Sequence, residues 1–492
     1  MHRRQSNVAS GLFLVAPGRR TAAAVLAGLL LWAGLLLWAG LGLGAGAAWA
    51  ASGRVLSFSD LHFDPFADPA VAAGLAASPA TAWEGLLAAH PGGPVTYGEE
   101  TDYTLLADTL GAMREAADGP DLVLLTGDLL AHKFHDRFQE IFPAAGPAEL
   151  QDFIHKTVTF LAQEVAGAFP DTPVYFSLGN NDAYAGDYMV TPEGQFLADT
   201  AKIITDYFLT DPAAAPGLAA SFAHGGYYSQ DLGGAGSLRV LGLNSIYFSS
   251  QYVDPRGAES GFSPQADELA WLENELADAA SQGDKVWLVS HIPPGVSAHN
   301  AAHDQGNTPE TLATVRPFWD DAYTRAYLDL LARYPDTLAA AFGGHTHMDT
   351  FNLTYAPDGG GPTSFQHITP AVSPEFGNNP GFQIFTYDPE SWELTGLATH
   401  RLDASRPDGS WELEYDFGTT YGLEGYNRQG LASLAVDILT DPAARKAYHR
   451  YYVVDNLAAA WSMDFLKAYW LGLVVTTGDV YMGAYNQLPP TY

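Results

Sequence analysis

The sequence predicts an α/β fold, a layered sandwich of two sheets with a C-terminal helical subdomain. Three observations predict it. Apolar runs of strand length alternate with amphipathic helical stretches as far as Ser290. Further strands expected after residue 363 lack long helices between them, which calls for a second sheet rather than one doubly wound sheet. After about residue 403 the chain turns to helix formers and aromatic residues.

The elements follow in order. Val55 to Phe58 is a short strand leading into Asp60. Thr101 to Ala117 sets Leu105, Leu106, Leu110 and Met113 on one helical face. Asp121 to Thr126 is a buried aliphatic strand, residues 149–168 are helical, and Pro173 to Leu178 and Leu238 to Leu243 are strands. Ser263-Pro264 opens a helix running to about Ala280, because a serine cap with proline in the first turn suits a helix start. Lys285 to Ser290 and Thr337 to Phe342 are strands, with others at 363–369, 381–387 and 394–400. Trp461, Phe465, Tyr469 and Trp470 mark the last region, whose apolar run Ala468 to Val475 is too short to span a bilayer. It reads as a helical cap packed on the main domain. No internal repeat is visible.

With 47% hydrophobic and 12% aromatic residues, the 492-residue chain can bury a large core. Its formal charge is −33, and residues 1–50 contain four arginines and no acid, so the remainder is more acidic still. Such a surface repels nucleic acid and anionic headgroups, and no nucleic-acid binding is expected. There is no cysteine, so any metal must be held by His, Asp, Glu, Asn or water. Arg19-Arg20 precede an uncharged Leu/Ala/Gly-rich stretch from Thr21 to Gly53, which contains the cleavage pattern Ala48-Trp49-Ala50. Residues 1–50 are therefore read as a signal peptide, making the protein exported, periplasmic or secreted. The alternative is an uncleaved membrane anchor, since the run is long enough to span. Residues 51–403 form the expected catalytic domain and 404–492 the helical subdomain.

Five motifs, each after an apolar run, carry oxygen or imidazole donors. They are Asp60-Leu61-His62, Gly127-Asp128, Gly179-Asn180-Asn181-Asp182, Ser290-His291 and Gly344-His345-Thr346-His347. In α/β sheets ligands gather outside the carboxyl ends of strands, so the five can converge. In an extended loop Asp60 and His62 would point the same way, toward one metal; read alone, such a pair is more often a surface pair. Asp128 is costly to bury without a cation or partner, though aspartate also caps helices. Asn180 offers a neutral carbonyl oxygen, and its motif read alone is an ordinary turn. His291 ends its strand before the rigid Pro293-Pro294-Gly295, and His345 and His347 form the most specific single motif. Asp60, His62, Asp128, Asn180, His291, His345 and His347 would together ligate two ions, with Asp128 between them. Two ions roughly 3.5–4 Å apart clamp a phosphoryl oxygen and acidify a bridging water. The mixed donors suit Zn²⁺, Mn²⁺ or Fe better than Ca²⁺.

In this order the motifs resemble the calcineurin-like metallophosphoesterases, and specifically their acid sphingomyelinase-like phosphodiesterase and endopolyphosphatase branch. The resemblance rests on Thr126-Gly127-Asp128-Leu129-Leu130-Ala131-His132, on Ser290-His291-Ile292-Pro293-Pro294-Gly295, and on Thr369 to Pro374 followed by Gly377 to Phe382. It covers roughly residues 54 to 420. It implies an αββα sandwich, two zinc ions, and hydrolysis of phosphodiester or phosphoanhydride bonds by a metal-bridging hydroxide attacking in line. His132 matches the family histidine that protonates or orients the leaving side.

The chain departs from the family at Asn181, where the wider family has a histidine. An amide cannot carry a proton, and general acid catalysis is typically worth ~10²–10⁴-fold. Either His132 serves alone or the substrate has a good leaving group. Gly179-Asn180-Asn181-Asp182 also resembles the endopolyphosphatases. Acid sphingomyelinase carries a saposin domain ahead of its catalytic part, whereas the segment before Val55 reads as a signal. The expected activity is hydrolysis of soluble nucleotide-like or headgroup-like phosphoesters, with a small phosphorylated molecule as partner and membrane contact only through an uncleaved N-terminus. The alternatives are an endopolyphosphatase, opposed by the acidic surface, a sphingomyelin phosphodiesterase, and a metal-binding pseudoenzyme. Oligomeric state leaves no mark in the sequence. His135, His224, His299 and His303 stand near motifs without a spacing argument.

Overall fold

The computed structural model describes residues 52–233, 237–257, 262–355 and 361–488. The expected signal or anchor at 1–50 lies outside them. Twelve strands occur among the described residues: β1 (Gly53–Phe58), β2 (Leu122–Leu125), β3 (Val174–Phe176), β4 (Tyr228–Leu232), β5 (Leu238–Gly242), β6 (Lys285–Val289), β7 (Leu338–Gly343), β8 (Thr350–Tyr355), β9 (Pro362–Ile368), β10 (Gly381–Tyr387), β11 (Leu394–Leu402) and β12 (Trp411–Asp416). They form two six-stranded sheets, ordered β12-β11-β10-β1-β2-β3 and β4-β5-β6-β7-β9-β8. Strands β1, β2 and β3 run parallel in one sheet and β5, β6 and β7 in the other, and all of these but β5 carry a motif. That common direction brings all their carboxyl ends to one edge of the sandwich.

The sheets meet through aromatic side chains that alternation places on their inner faces. Phe342 on β7 lies edge-on to Phe385 on β10 at 5.4 Å, and Trp287 on β6 meets Tyr387 on β10 at the same spacing. Helices cover the outer faces. Tyr103–Ala117 starts two residues later than its apolar pattern, because Asp102 is the cap: its carboxylate accepts from Leu105 N at 2.8 Å. Pro264–Gln282 starts as expected, with Ser263 Oγ accepting from Ala266 N. It buries Leu272 and Leu276 in a second core with Leu288 and Leu330.

Three strands lack a clear sequence pattern: β4, β8 and β12. All three are edge strands. Acidic residues such as Asp231 and Glu412 sit on two of them, as suits strands with an unpaired side. β12 lies beyond residue 403 and pairs with β11, so the C-terminal helices begin only at Phe417. There Leu466–Val474 is buried against β8 and against the helix Ala298–His303. Among the described residues no helix is long and apolar enough to cross a membrane.

Candidate metal centre

The ends of β1, β2, β3, β6 and β7 release their chains into tight loops, and these loops bring all seven predicted ligands together. The loops are not extended, contrary to the expectation for Asp60 and His62. Asp60 has φ +50°, His62 +42°, Asp128 +54°, His345 +73° and His347 +64°. Non-glycine residues avoid this left-handed region, at a cost of about 1–2 kcal/mol each. The loops are held there by one another. Asp60 N donates to Gly127 O at 3.0 Å and His62 N to Asp128 O at 2.9 Å. Asp182 accepts from Gly179 N at 2.9 Å and from Leu129 N and Leu130 N at 2.9 and 3.2 Å, so its buried carboxylate ties the β2 and β3 loops. A side chain at Gly179 would put Cβ 2.0 Å from Asp128 N, and one at Gly127 would strike Gly179 N.

The donor atoms form two cups that share Asp128. In the first, His62 Nδ1 donates to Leu130 O at 3.0 Å, so Nε2 presents its lone pair. That lone pair faces His347 Nε2 at 3.0 Å, Asp128 Oδ2 at 3.5 Å and Asp60 Oδ1 at 3.7 Å. In the second, His291 Nδ1 donates to Thr126 O at 2.6 Å, and Nε2 faces Asp128 Oδ2 and Asn180 Oδ1, both at 3.2 Å. Asn180 turns its oxygen inward because its Nδ2 donates to Asp187 at 2.8 Å. His345 completes this cup with Asp128 and His291. The cups crowd carboxylate and imidazole donor atoms within 4.8 Å of one another, and the buried Nδ1 of His347 has no partner. Two carboxylates and an amide oxygen among four imidazoles make a mixed nitrogen and oxygen donor set, so the residues fit a divalent centre.

The electrostatics point the same way. Burial alone would raise the Asp60 pKa, but the imidazoles of His347 and His291 and a hydrogen bond with His62 hold it at about 2. Burial and neighbouring imidazoles push His345 down to about 4 and His347 to about 3, so both are neutral and able to ligate. His291 goes the other way, to about 9, because Asp128 and Asp60 outweigh its burial.

Asn181 is turned toward Asp128. Its backbone N and Nδ2 both bind the Asp128 carboxylate. His132 stacks on His62 with ring centroids 4.0 Å apart. Its Nδ1 is held by Glu100 at 3.0 Å and by Glu375. Burial opposes its protonation, but the two carboxylates raise its pKa to about 10. Glu100, Glu375 and Asp187 escape the sequence reading, while Asp182 stands in the Gly179–Asp182 motif without a role assigned to it there. Glu375 directly follows the Thr369–Pro374 motif, while Glu100 carries no spacing signal. Of the four unassigned histidines, His299 lines a cavity beside the cluster and His303 stacks on it. His224 pairs with Glu193 and Asp267, and His135 lies beside Gly186, neither of them in the cups.

Residues 53–349 match the calcineurin-like phosphoesterase family, and residues 363–462 match the acid sphingomyelin phosphodiesterase C-terminal region. An acid sphingomyelinase-like phosphodiesterase 3b of Homo sapiens is 28% identical over 432 residues, covering 83% of this chain and 84% of the relative. A cyclic GMP-AMP phosphodiesterase of Mus musculus is 25% identical, covering 74% of this chain and 78% of its own. A sphingomyelinase phosphodiesterase C of Dictyostelium discoideum is 24% identical, covering 66% and 69%.

Proposed function

The chain belongs to the calcineurin-like phosphoesterases, with acid sphingomyelinase-like phosphodiesterases as its relatives, and from that premise we propose an exported dinuclear phosphodiesterase of soluble nucleotide-like or headgroup-like substrates. The observation that carries this reading is the pair of acceptor cups sharing Asp128. One seat is Asp60, His62, His347 and Asp128; the other is Asn180, His291, His345 and Asp128. The mixed nitrogen and oxygen donor set suits zinc, with manganese or iron as the alternatives. Bound divalent ions supply charge withdrawal from the phosphoryl oxygens and a water acidified enough to attack phosphorus.

The chain's own residues do the rest. Asp128, gripped through both oxygens by Asn181, keeps the shared position. His132, held by Glu100 and Glu375, carries the proton for the leaving oxygen. A ring nitrogen of His132 lies within 4.8 Å of nitrogens of His62 and His347, close enough to reach a group seated at the first cup. Asn181 takes no part in proton transfer, since its amide is engaged with Asp128. The relatives named for a cyclic dinucleotide and for sphingomyelin are phosphodiesterases of small molecules, which supports the substrate class. Export rests on the Ala48-Trp49-Ala50 pattern.

The test is release of phosphate or nucleotide from ATP, CDP-choline, polyphosphate and micellar sphingomyelin by protein loaded with Zn²⁺ or Mn²⁺. Turnover of one substrate, abolished by chelation and by Asp128→Asn, is the expected result. Silence across the panel with both seats filled would leave a metal-binding pseudoenzyme.

A further inference from the structure

Beside the metal cluster lies a cavity of about 500 Å³ whose walls come from two parts of the chain. The catalytic domain contributes Phe318 and the loop from Pro294 to Asn300, and the C-terminal helical region contributes Tyr448, Tyr452, Trp461 and Tyr469. Trp461 and Tyr469 stack with centroids 4.2 Å apart. The Tyr448 hydroxyl is already satisfied by Thr350 at 2.8 Å, so it makes no demand on an occupant. No Asp, Glu, Lys or Arg lines the cavity among the described residues.

The cavity is continuous with the candidate centre. His345 and Thr346 belong to its lining. Phe376 joins the two spaces: it lines the cavity, and its ring lies 4.5 Å from His347 and 5.4 Å from His132. It is also 53% exposed, unusual for a phenylalanine with such neighbours. Beyond its contacts with the two histidines, much of this apolar ring is open to solvent beside the cavity. It offers a flat apolar face to whatever enters.

Resting on the phosphodiesterase reading, we propose that this cavity takes an uncharged aromatic ring carried on the substrate phosphate, with Phe376 as the stacking platform at its entrance. The C-terminal helical region thereby selects the substrate. A polyphosphate chain would enter a space without a single countercharge, which is costly for an ion. An aliphatic chain would find apolar walls too, Met348, Ile368 and Leu473 among them, but the exposed ring of Phe376 beside them favours another ring beyond simple burial.

Binding tests this without reference to which ester bond breaks. Methylphosphonate, 1-naphthylphosphonate and octylphosphonate share one headgroup and are titrated calorimetrically into the Zn²⁺-loaded protein. The naphthyl compound should bind at least about tenfold more tightly than the methyl compound, the order of one stacking contact. Phe376→Ala should cut that ratio about tenfold. Ala459→Trp, which adds bulk from an exposed loop position in the lining, should cut it as well. Equal binding of the methyl and naphthyl compounds, or an octyl compound as tight as the naphthyl one, overturns the proposal while the metal centre stands. Failure of all three phosphonates to bind strikes the phosphodiesterase reading itself. Both variants alter surface-accessible side chains, and unchanged ratios in both would place the ring elsewhere.

Discussion

Asn181 grips Asp128 at both carboxylate oxygens: its backbone N donates to Oδ1 at 2.9 Å and its Nδ2 to Oδ2 at 3.0 Å. Asp128 is the one residue common to both acceptor cups, so its orientation sets both seats at once. The amide that stands where the wider family has a histidine is therefore a restraint on a proposed ligand, with one of its two Nδ2 hydrogens given to Asp128.

This relationship predicts the effect of Asn181→Ala. The backbone donor survives and the side-chain donor is lost. Outer-shell hydrogen bonds of this kind typically contribute 10–100-fold to metal affinity. Affinity should fall about tenfold, measured by competition with a chromophoric chelator. The sensitivity of kcat to leaving group should not change, because Asn181 is not aimed at that oxygen. An unaltered metal affinity would mean the backbone N alone suffices to hold Asp128.

His132 should show the opposite pattern. It is clamped between Glu100 and Glu375 and protonated through them, and in the proposed mechanism it gives that proton to the departing oxygen. Loss of general acid catalysis costs about 10²–10⁴-fold where the leaving group is poor. His132→Ala should lose that much kcat on CDP-choline but much less on bis(4-nitrophenyl) phosphate, whose phenolate leaves unaided. Metal content should stay at the wild-type level. An equal loss on both substrates would assign His132 to positioning rather than proton transfer.

What could be read in advance follows from how each feature is encoded. Asp60, Asp128, Asn180, His291 and the His345–His347 pair each end an apolar run, so the strand that delivers a side chain also announces it. Their convergence needed only parallel strands sharing one end. The local geometry was not legible in the same way. Left-handed backbone at Asp60 and His62 is imposed by bonds to Gly127 and Asp128, residues far away in sequence. Glu100 and Glu375 meet the cluster through His132, and neither sits at a strand end. The cavity was hidden because Phe318, Phe376 and Trp461 look like core aromatics until the C-terminal helices dock. The edge strands β4, β8 and β12 escaped because an edge needs neither the length nor the hydrophobicity of a central strand.

Glu268 provides a test of the fold away from the centre. It lies on Pro264–Gln282, fully buried, with Oε1 accepting from Asn244 N at 2.7 Å and Oε2 without a partner. Burial raises its pKa well above the usual carboxylate value, only partly offset by the Asn244 bond. A folded-state pKa above the unfolded one means the proton is held more tightly in the fold. The contribution to stability is then complete below the unfolded value of about 4.3 and declines as pH rises toward the folded value. Glu268→Gln keeps an oxygen for Asn244 N and removes the charge that must otherwise be buried or neutralised. The variant should be more stable than wild type at pH 8, by about 1–3 kcal/mol, and the gain should shrink toward pH 5. Denaturant midpoints of both proteins across that range give the difference directly, and other titrating groups cancel in it. Parallel curves for the two proteins would show that Glu268 does not titrate between the folded and unfolded states.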